Sequence, residues 1–236
     1  MKMRKTLFFL CGLLCCILPL AAQKPATNPV IYADAPDMSM LRVGDTYYMS
    51  STTMHMSPGV PIMKSKDLVN WELVNYAYDT LADMPAMNLD NGENTYGRGS
   101  WASCLRYHKG LYYLSTFAQT TGKTYFYTTK NLEKGPWKCT EFSPAYHDHS
   151  FFFDEDGHIY MIYGNGKLFL TELESDLSGV KPGTERVLLE NASAPAGDKI
   201  MLGAEGSQLF KVNGKYYLFN ICLLYTSDAA DDRISV

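Results

Sequence analysis

Apolar and polar residues alternate in short runs along this chain, and four such runs each stop at a glycine turn. Met38–Val43 leads to Gly44, Ala102–Tyr107 to Gly110, His149–Phe153 to Gly157 and Gly206–Val212 to Gly214. Behind each turn comes a second, tyrosine-type run: Thr46-Tyr-Tyr-Met, Leu111-Tyr-Tyr-Leu, Ile159-Tyr-Met and Lys215-Tyr-Tyr-Leu. Period two on both sides of a glycine predicts a β-hairpin. Further strands are predicted downstream, at Val60–Ser65 and Trp71–Val74, then at Thr124–Thr129 and Trp137–Cys139. The turn glycines lie 66, 47 and 57 residues apart. A repeat near this length with about four short strands predicts propeller blades. A β-sandwich also has short strands and turn signals, but it leaves the recurrence of whole units unexplained.

One position in each unit is marked. Trp101, Asp148 and Glu205 each stand nine residues before their turn glycine, and Asp37 stands seven before Gly44. All four are therefore predicted at the head of the first strand of their unit. First strands of successive blades line one axis, so these heads face one another. Three of the four are acids. Like charges brought together oppose ionisation, which is unfavourable unless the cluster has a function.

Composition narrows the classes. Seventeen tyrosines and eleven phenylalanines among 236 residues favour β structure. The net charge is −4, nearer −7 once the three positive charges Lys2, Arg4 and Lys5 are set aside, and no basic block suggests a nucleic-acid partner. Residues 1–22 read as a signal peptide: Lys2, Arg4 and Lys5, an apolar run from Thr6 to Leu20, then Ala21 and Ala22 before cleavage. The run is short for a bilayer span. Secretion, or export to a periplasm, is the expected localisation, with no membrane span left after removal of the signal. Cys104, Cys139 and Cys222 then remain, without metal spacing. They are expected as buried thiols, a Cys104–Cys139 bridge being the one alternative. Residues 23–223 are expected to form one domain, an incomplete β-propeller. From 224 to 236 the pattern dissolves into a polar, acidic run that resembles translated adapter DNA and reads as a non-native tail, with a natural disordered tail as the alternative.

Two carboxyls on opposite faces of a sugar are the apparatus of glycoside hydrolysis: one protonates the leaving oxygen, the other activates water. A third acid nearby favours the protonated form of the first. Pro36-Asp37-Met38-Ser39 followed by Gly44-Asp-Thr-Tyr-Tyr resembles the opening of glycoside hydrolase family 43, usually Pro-Asp-Pro-Ser. His147-Asp148-His149-Ser-Phe-Phe-Phe-Asp resembles its Ile-Asp-Pro-Ser-Leu-Phe-Phe-Asp segment. Ala204-Glu205-Gly206-Ser207 resembles its Glu-Gly-Pro segment. Met38, His149 and Ser207 stand where the family has proline. The resemblance covers Asn28 to about Ile221. It implies a five-bladed β-propeller, of which about four blades are present, and an inverting glycosidase acting on α-L-arabinofuranosyl or β-D-xylosyl linkages of plant-type oligo- or polysaccharides. It makes Asp37 the general base, Glu205 the general acid and Asp148 the acid that tunes and orients Glu205. Ser100-Trp101-Ala102 resembles the family's Trp-Ala-Pro, whose Trp lines the sugar site. Met54 and the loop Ser57–Pro61 match the wall of the innermost subsite, and Phe117 is a further candidate for stacking on the sugar.

No organic cofactor is implied. A structural calcium is known near the axis in some family members, but the residue to check would lie in a fifth blade. His147 and His149 flank Asp148 without a third suitably spaced metal ligand. Asp154, Glu155 and Asp156 read as a solvated turn, and Ser65–Trp71 and Gly135–Trp137 as blade packing. The retaining propellers of the invertase and levansucrase group would need Arg-Asp-Pro and Glu-Cys, which are absent here. The alternatives are a non-catalytic carbohydrate-binding propeller and an inactive fragment of the enzyme.

Overall fold

Fourteen strands of a computed structural model, which describes residues 26–54 and 57–224, realise the hairpin pattern. Blade I comprises β1 (Ser39–Val43), β2 (Thr46–Ser50), β3 (Gly59–Ser65) and β4 (Glu72–Tyr78). Blade II comprises β5 (Cys104–His108), β6 (Leu111–Ala118), β7 (Lys123–Thr129) and β8 (Lys138–Phe142). Blade III comprises β9 (Ser150–Phe153), β10 (Ile159–Asn165), β11 (Lys167–Leu173) and β12 (Arg186–Leu189). Each is an antiparallel meander in sequence order. A fourth sheet has two strands, β13 (Ile200–Val212) and β14 (Lys215–Leu224). The fold is thus an all-β propeller, with three four-stranded blades and the inner hairpin of a fourth among the described residues. The predicted signal peptide and the tail from 225 onward lie outside those residues. Residues 26–30 are an irregular lead, and the blades belong to the unit that begins at Ile31.

Turn chemistry explains why the hairpins close. Lys109-Gly110 and Asn213-Gly214 form two-residue turns with positive φ at both positions, the geometry that matches strand twist and that glycine admits without strain. The turn between β9 and β10 is longer, Asp154 to His158, with a backbone bond from Gly157 N–H to Asp154.

Large apolar side chains hold neighbouring blades face to face. Tyr48, Val60 and Ile62 of blade I pack with Leu105, Leu114, Tyr125 and Tyr127 of blade II. Trp137, on the segment leading into β8, joins that core, and its Nε1–H donates to the Tyr76 carbonyl at 3.0 Å. Cys104 and Phe126 of blade II pack with Phe151, Ile159 and Met161 of blade III. Each such side chain contributes about 1.5–3 kcal/mol when fully buried. Polar ties cross the same seams: Lys64 pairs with Glu133 at 2.7 Å, and Glu133 also accepts from Tyr48 Oη at 2.9 Å.

Three expectations are corrected here. Asp154 is no solvated turn residue: its side chain is 8% exposed, it pairs with Lys211 at 2.9 Å and it accepts from Tyr216, joining blade III to the fourth sheet. The expectation of three buried thiols fails for two of them, and the alternative Cys104–Cys139 bridge is not formed either, because the two lie on the outermost strands of one sheet, about 14 Å apart by strand spacing. Of the three thiols only Cys104 is buried; Cys139 is exposed and Cys222 half-buried. Glu205 does not head its strand, since β13 starts five residues earlier.

Candidate active site

Inner strands β1, β5, β9 and β13 follow one another around the axis, each packed on the next. Their ends bring Asp37, Asp148 and Glu205 within electrostatic reach of one another. Backbone geometry aims two of the acids. Asp37 and Asp148 both adopt left-handed conformations, φ 51° and 45°, which aspartate tolerates better than most residues. The Pro36 carbonyl accepts from Ser51 Oγ at 2.6 Å and from Thr52 N–H at 3.3 Å, fixing the approach to Asp37. Around Glu205 the ladder to β14 slips on both sides, and Gly206 takes φ 62°. Such an irregularity in a strand re-aims a side chain.

A cavity of about 550 Å³ lies along the axis, lined by Asp37, Ser103, Asp148 and His149 together with Gln208 and Asn220. Asp37 is exposed at its mouth, yet nearby protein displaces part of its hydration. That raises its pKa, and the charges of Glu205 and Asp34 raise it further. Asp148 is half-buried. Loss of hydration first, then repulsion from Glu205 and Asp37, lifts it to about 6 against the opposing influence of His147. His149 is buried and held down at about 4 by desolvation, so it is neutral at pH 7; its Nδ1–H donates to the Tyr146 carbonyl at 2.9 Å.

Glu205 is 7% exposed and does not stand alone. Asn165 Nδ2 donates to its Oε2 at 2.6 Å, and His147 Nε2 lies 2.9 Å from the same oxygen. Ligand atoms of His147, Asp148 and Glu205 fall within 4.8 Å of one another, so the fold supplies the third group that sequence spacing did not show, and His149 is not part of the cluster. Oε2 of Glu205 is already engaged by two nitrogens.

The aromatic candidates divide. Trp101 is half-buried beside the acids, with its ring 6.3 Å from His147. Phe117 is corrected as a stacking residue: it is 0% exposed and offers no face to a ligand. It supports the site from beneath, edge-on to Trp101 at 6.1 Å and to His147 at 5.5 Å. Met54 is half-buried, and its carbonyl accepts from Gly99 N–H at 2.6 Å, which ties it two residues from Trp101. Sequence reasoning missed the pairing of His147 and Asn165 with Glu205. The hairpin signal Gly164-Asn165-Gly166 was its only trace.

The sequence profile of glycosyl hydrolases family 43 matches residues 26–223. A beta-xylosidase of Formosa agariphila is 35% identical over 207 residues, covering 81% of this chain and 33% of that protein. A non-reducing end alpha-L-arabinofuranosidase of Bacteroides ovatus is 37% identical over 118 residues, covering 49% and 22% respectively. Among solved structures, a bifunctional GH43-CE protein of Bacteroides eggerthii is 92% identical with a TM-score of 0.82, covering 85% of this chain and 26% of that one. The chain spans a third or less of the length of each of these relatives.

Proposed function

The chain belongs to family 43 of the glycosyl hydrolases, and from that premise we propose that it carries the acids of an inverting glycosidase acting on α-L-arabinofuranosyl or β-D-xylosyl linkages of oligo- or polysaccharides. The observation that carries this reading is the convergence of three carboxyls, each from a different blade, within electrostatic reach of one another, with Asp37 and Asp148 lining the axial cavity and Glu205 beside Asp148.

Glu205 gives its proton to the glycosidic oxygen as the bond from C1 breaks. Asp37 takes a proton from a water on the opposite face, and that water's oxygen bonds to C1 with inversion. A pKa raised by lost hydration makes Asp37 a stronger base than a free aspartate once ionised. Asp148 tunes and orients the acid, its carboxyl lying within 4.8 Å of that of Glu205. Trp101 forms the wall for the sugar, and Met54 stands beside it. No step calls on an organic cofactor. Residues 1–22 would direct the protein out of the cytoplasm.

The test is turnover of aryl arabinofuranosides and aryl xylosides by Asp37→Asn and Glu205→Gln. Both should lose at least about 100-fold in kcat, in line with the loss of a general acid or base, while circular dichroism stays unchanged. Near-normal rates in either would remove the assignment. Sugar binding without release of product by the unmutated protein would leave the binding propeller as the answer.

A further inference from the structure

One hairpin tip reaches both sides of Glu205. Between β10 and β11 the chain turns at Gly164-Asn165-Gly166, with φ 119° at Gly164 and 69° at Gly166. Gly164 N–H donates to the His147 carbonyl at 3.3 Å, and Gly166 N–H donates to the Ala204 carbonyl at 2.8 Å. The tip is thus bonded to the residue before Asp148 and to the residue before Glu205. Between those anchors it holds Asn165 Nδ2 on Glu205 Oε2. Gly203 makes the close approach feasible: a β-carbon there would stand 2.4 Å from Asn165 Oδ1 and 3.0 Å from Gly166 N. From the other side His147 Nε2 meets the same Oε2, its ring edge-on to Trp101 and Phe117.

A protonated carboxyl has one carbonyl oxygen that only accepts and one hydroxyl oxygen that bears the proton. With the His147 proton on Nε2, an amide N–H and an imidazole N–H directed at Oε2 together make that oxygen the carbonyl. We propose that His147 and Asn165 are positioning residues that fix Oε1 of Glu205 as the oxygen that carries and delivers the proton. The inference rests on Glu205 being the general acid. When the glycosidic bond breaks, the proton leaves Oε1 for the departing oxygen, and the carboxylate stays held through Oε2 without a rotation.

Two measurements test this. The first is kinetic and uses matched glycosides of xylose and of arabinofuranose, one with a 2,4-dinitrophenyl and one with an alkyl leaving group. Only the alkyl leaving group needs protonation. His147→Ala, Asn165→Ala and Gly203→Ala should each lower kcat about tenfold or more on the alkyl glycoside and less than about twofold on the dinitrophenyl one, with KM little changed. His147→Gln, which keeps a donor, should recover much of the loss. Equal losses on both leaving groups, or losses confined to KM, would overturn the inference and leave the glycosidase reading standing. A wild type that cleaves neither glycoside would overturn that reading and the delivery role with it. The second is ¹⁵N NMR of the histidine-labelled protein, with the His147 signals assigned by their loss in His147→Ala. The expected Nε2 is a proton-bearing, pyrrole-type nitrogen. A pyridine-type Nε2 would mean that Glu205 donates from Oε2, and the proposal would be wrong even in an active enzyme.

Discussion

Replacing Asp148 by asparagine should stabilise the fold, and the size of the gain should depend on pH in a calculable way. Asparagine tolerates the left-handed backbone at this position as well as aspartate does, so the change removes charge without straining the chain. Asp148 titrates at about 6 in the fold against 3.8 for an ordinary aspartate. Its ionisation therefore works against folding by up to about 3 kcal/mol at pH 7.5, where the group is charged in both states. The sign is the reverse of that for a salt-bridged aspartate. The folded state binds this proton more tightly, so stability rises as pH falls from 6 towards 4. At pH 4.5 about 2 of those 3 kcal/mol are already recovered. Urea denaturation of wild type and Asp148→Asn at the two pH values reads the effect together with the relief of Glu205 and Asp37, which Asp148 repels, while titrating groups elsewhere are common to both proteins. The variant should be more stable by up to about 3 kcal/mol at pH 7.5 and by about 1 kcal/mol at pH 4.5. A variant less stable than wild type at pH 7.5, or a gain that does not shrink on acidification, would refute the claim that repulsion and lost hydration act on this carboxyl.

Two further predictions concern the frame around the site. Asp154→Ala removes the acceptor shared by Lys211 and Tyr216 between blade III and the fourth sheet, and should lower stability by about 2 kcal/mol in chemical denaturation, with activity changing only as far as β13 shifts. Gly59→Ala would put a β-carbon 1.9 Å from Tyr78 Oη, dislodging a core ring that also bonds Ser100 Oγ at 2.7 Å; a loss of about 2–4 kcal/mol, read from the same denaturation curves, is expected.

The blades were legible in the sequence because a hairpin needs little more than alternation and a glycine turn, and both are local. The inner pairs of all four sheets appear where alternation predicts them. Outer strands were placed less well. β4 and β8 run on to Tyr78 and Phe142, beyond the predicted Val74 and Cys139. At the site, the acids could be found by counting back from each turn, since residues at a similar distance from the turns come together at the axis, even though Glu205 lies inside β13 rather than at its head. Phe117 could not be judged that way. Its place after a strand is compatible with a sugar platform or a supporting ring, and only the packing of Trp101 and His147 over it decides. Asp154 looked solvated because its neighbours Glu155 and Asp156 are, and its partners come from residues more than fifty positions away. Asn165 was hidden for the same reason: forty residues separate it from the carboxyl it holds.

The stereochemistry of the first product tests the central claim most directly. Proton NMR of the anomeric signal, recorded within minutes of adding an aryl xyloside or arabinofuranoside, reports configuration before mutarotation. Asp37 as a base acting on water predicts that the first sugar released has the opposite anomeric configuration to the substrate. A first product of retained configuration would mean that a carboxylate attacks the sugar itself, and the roles assigned to Asp37 and Glu205 would be wrong.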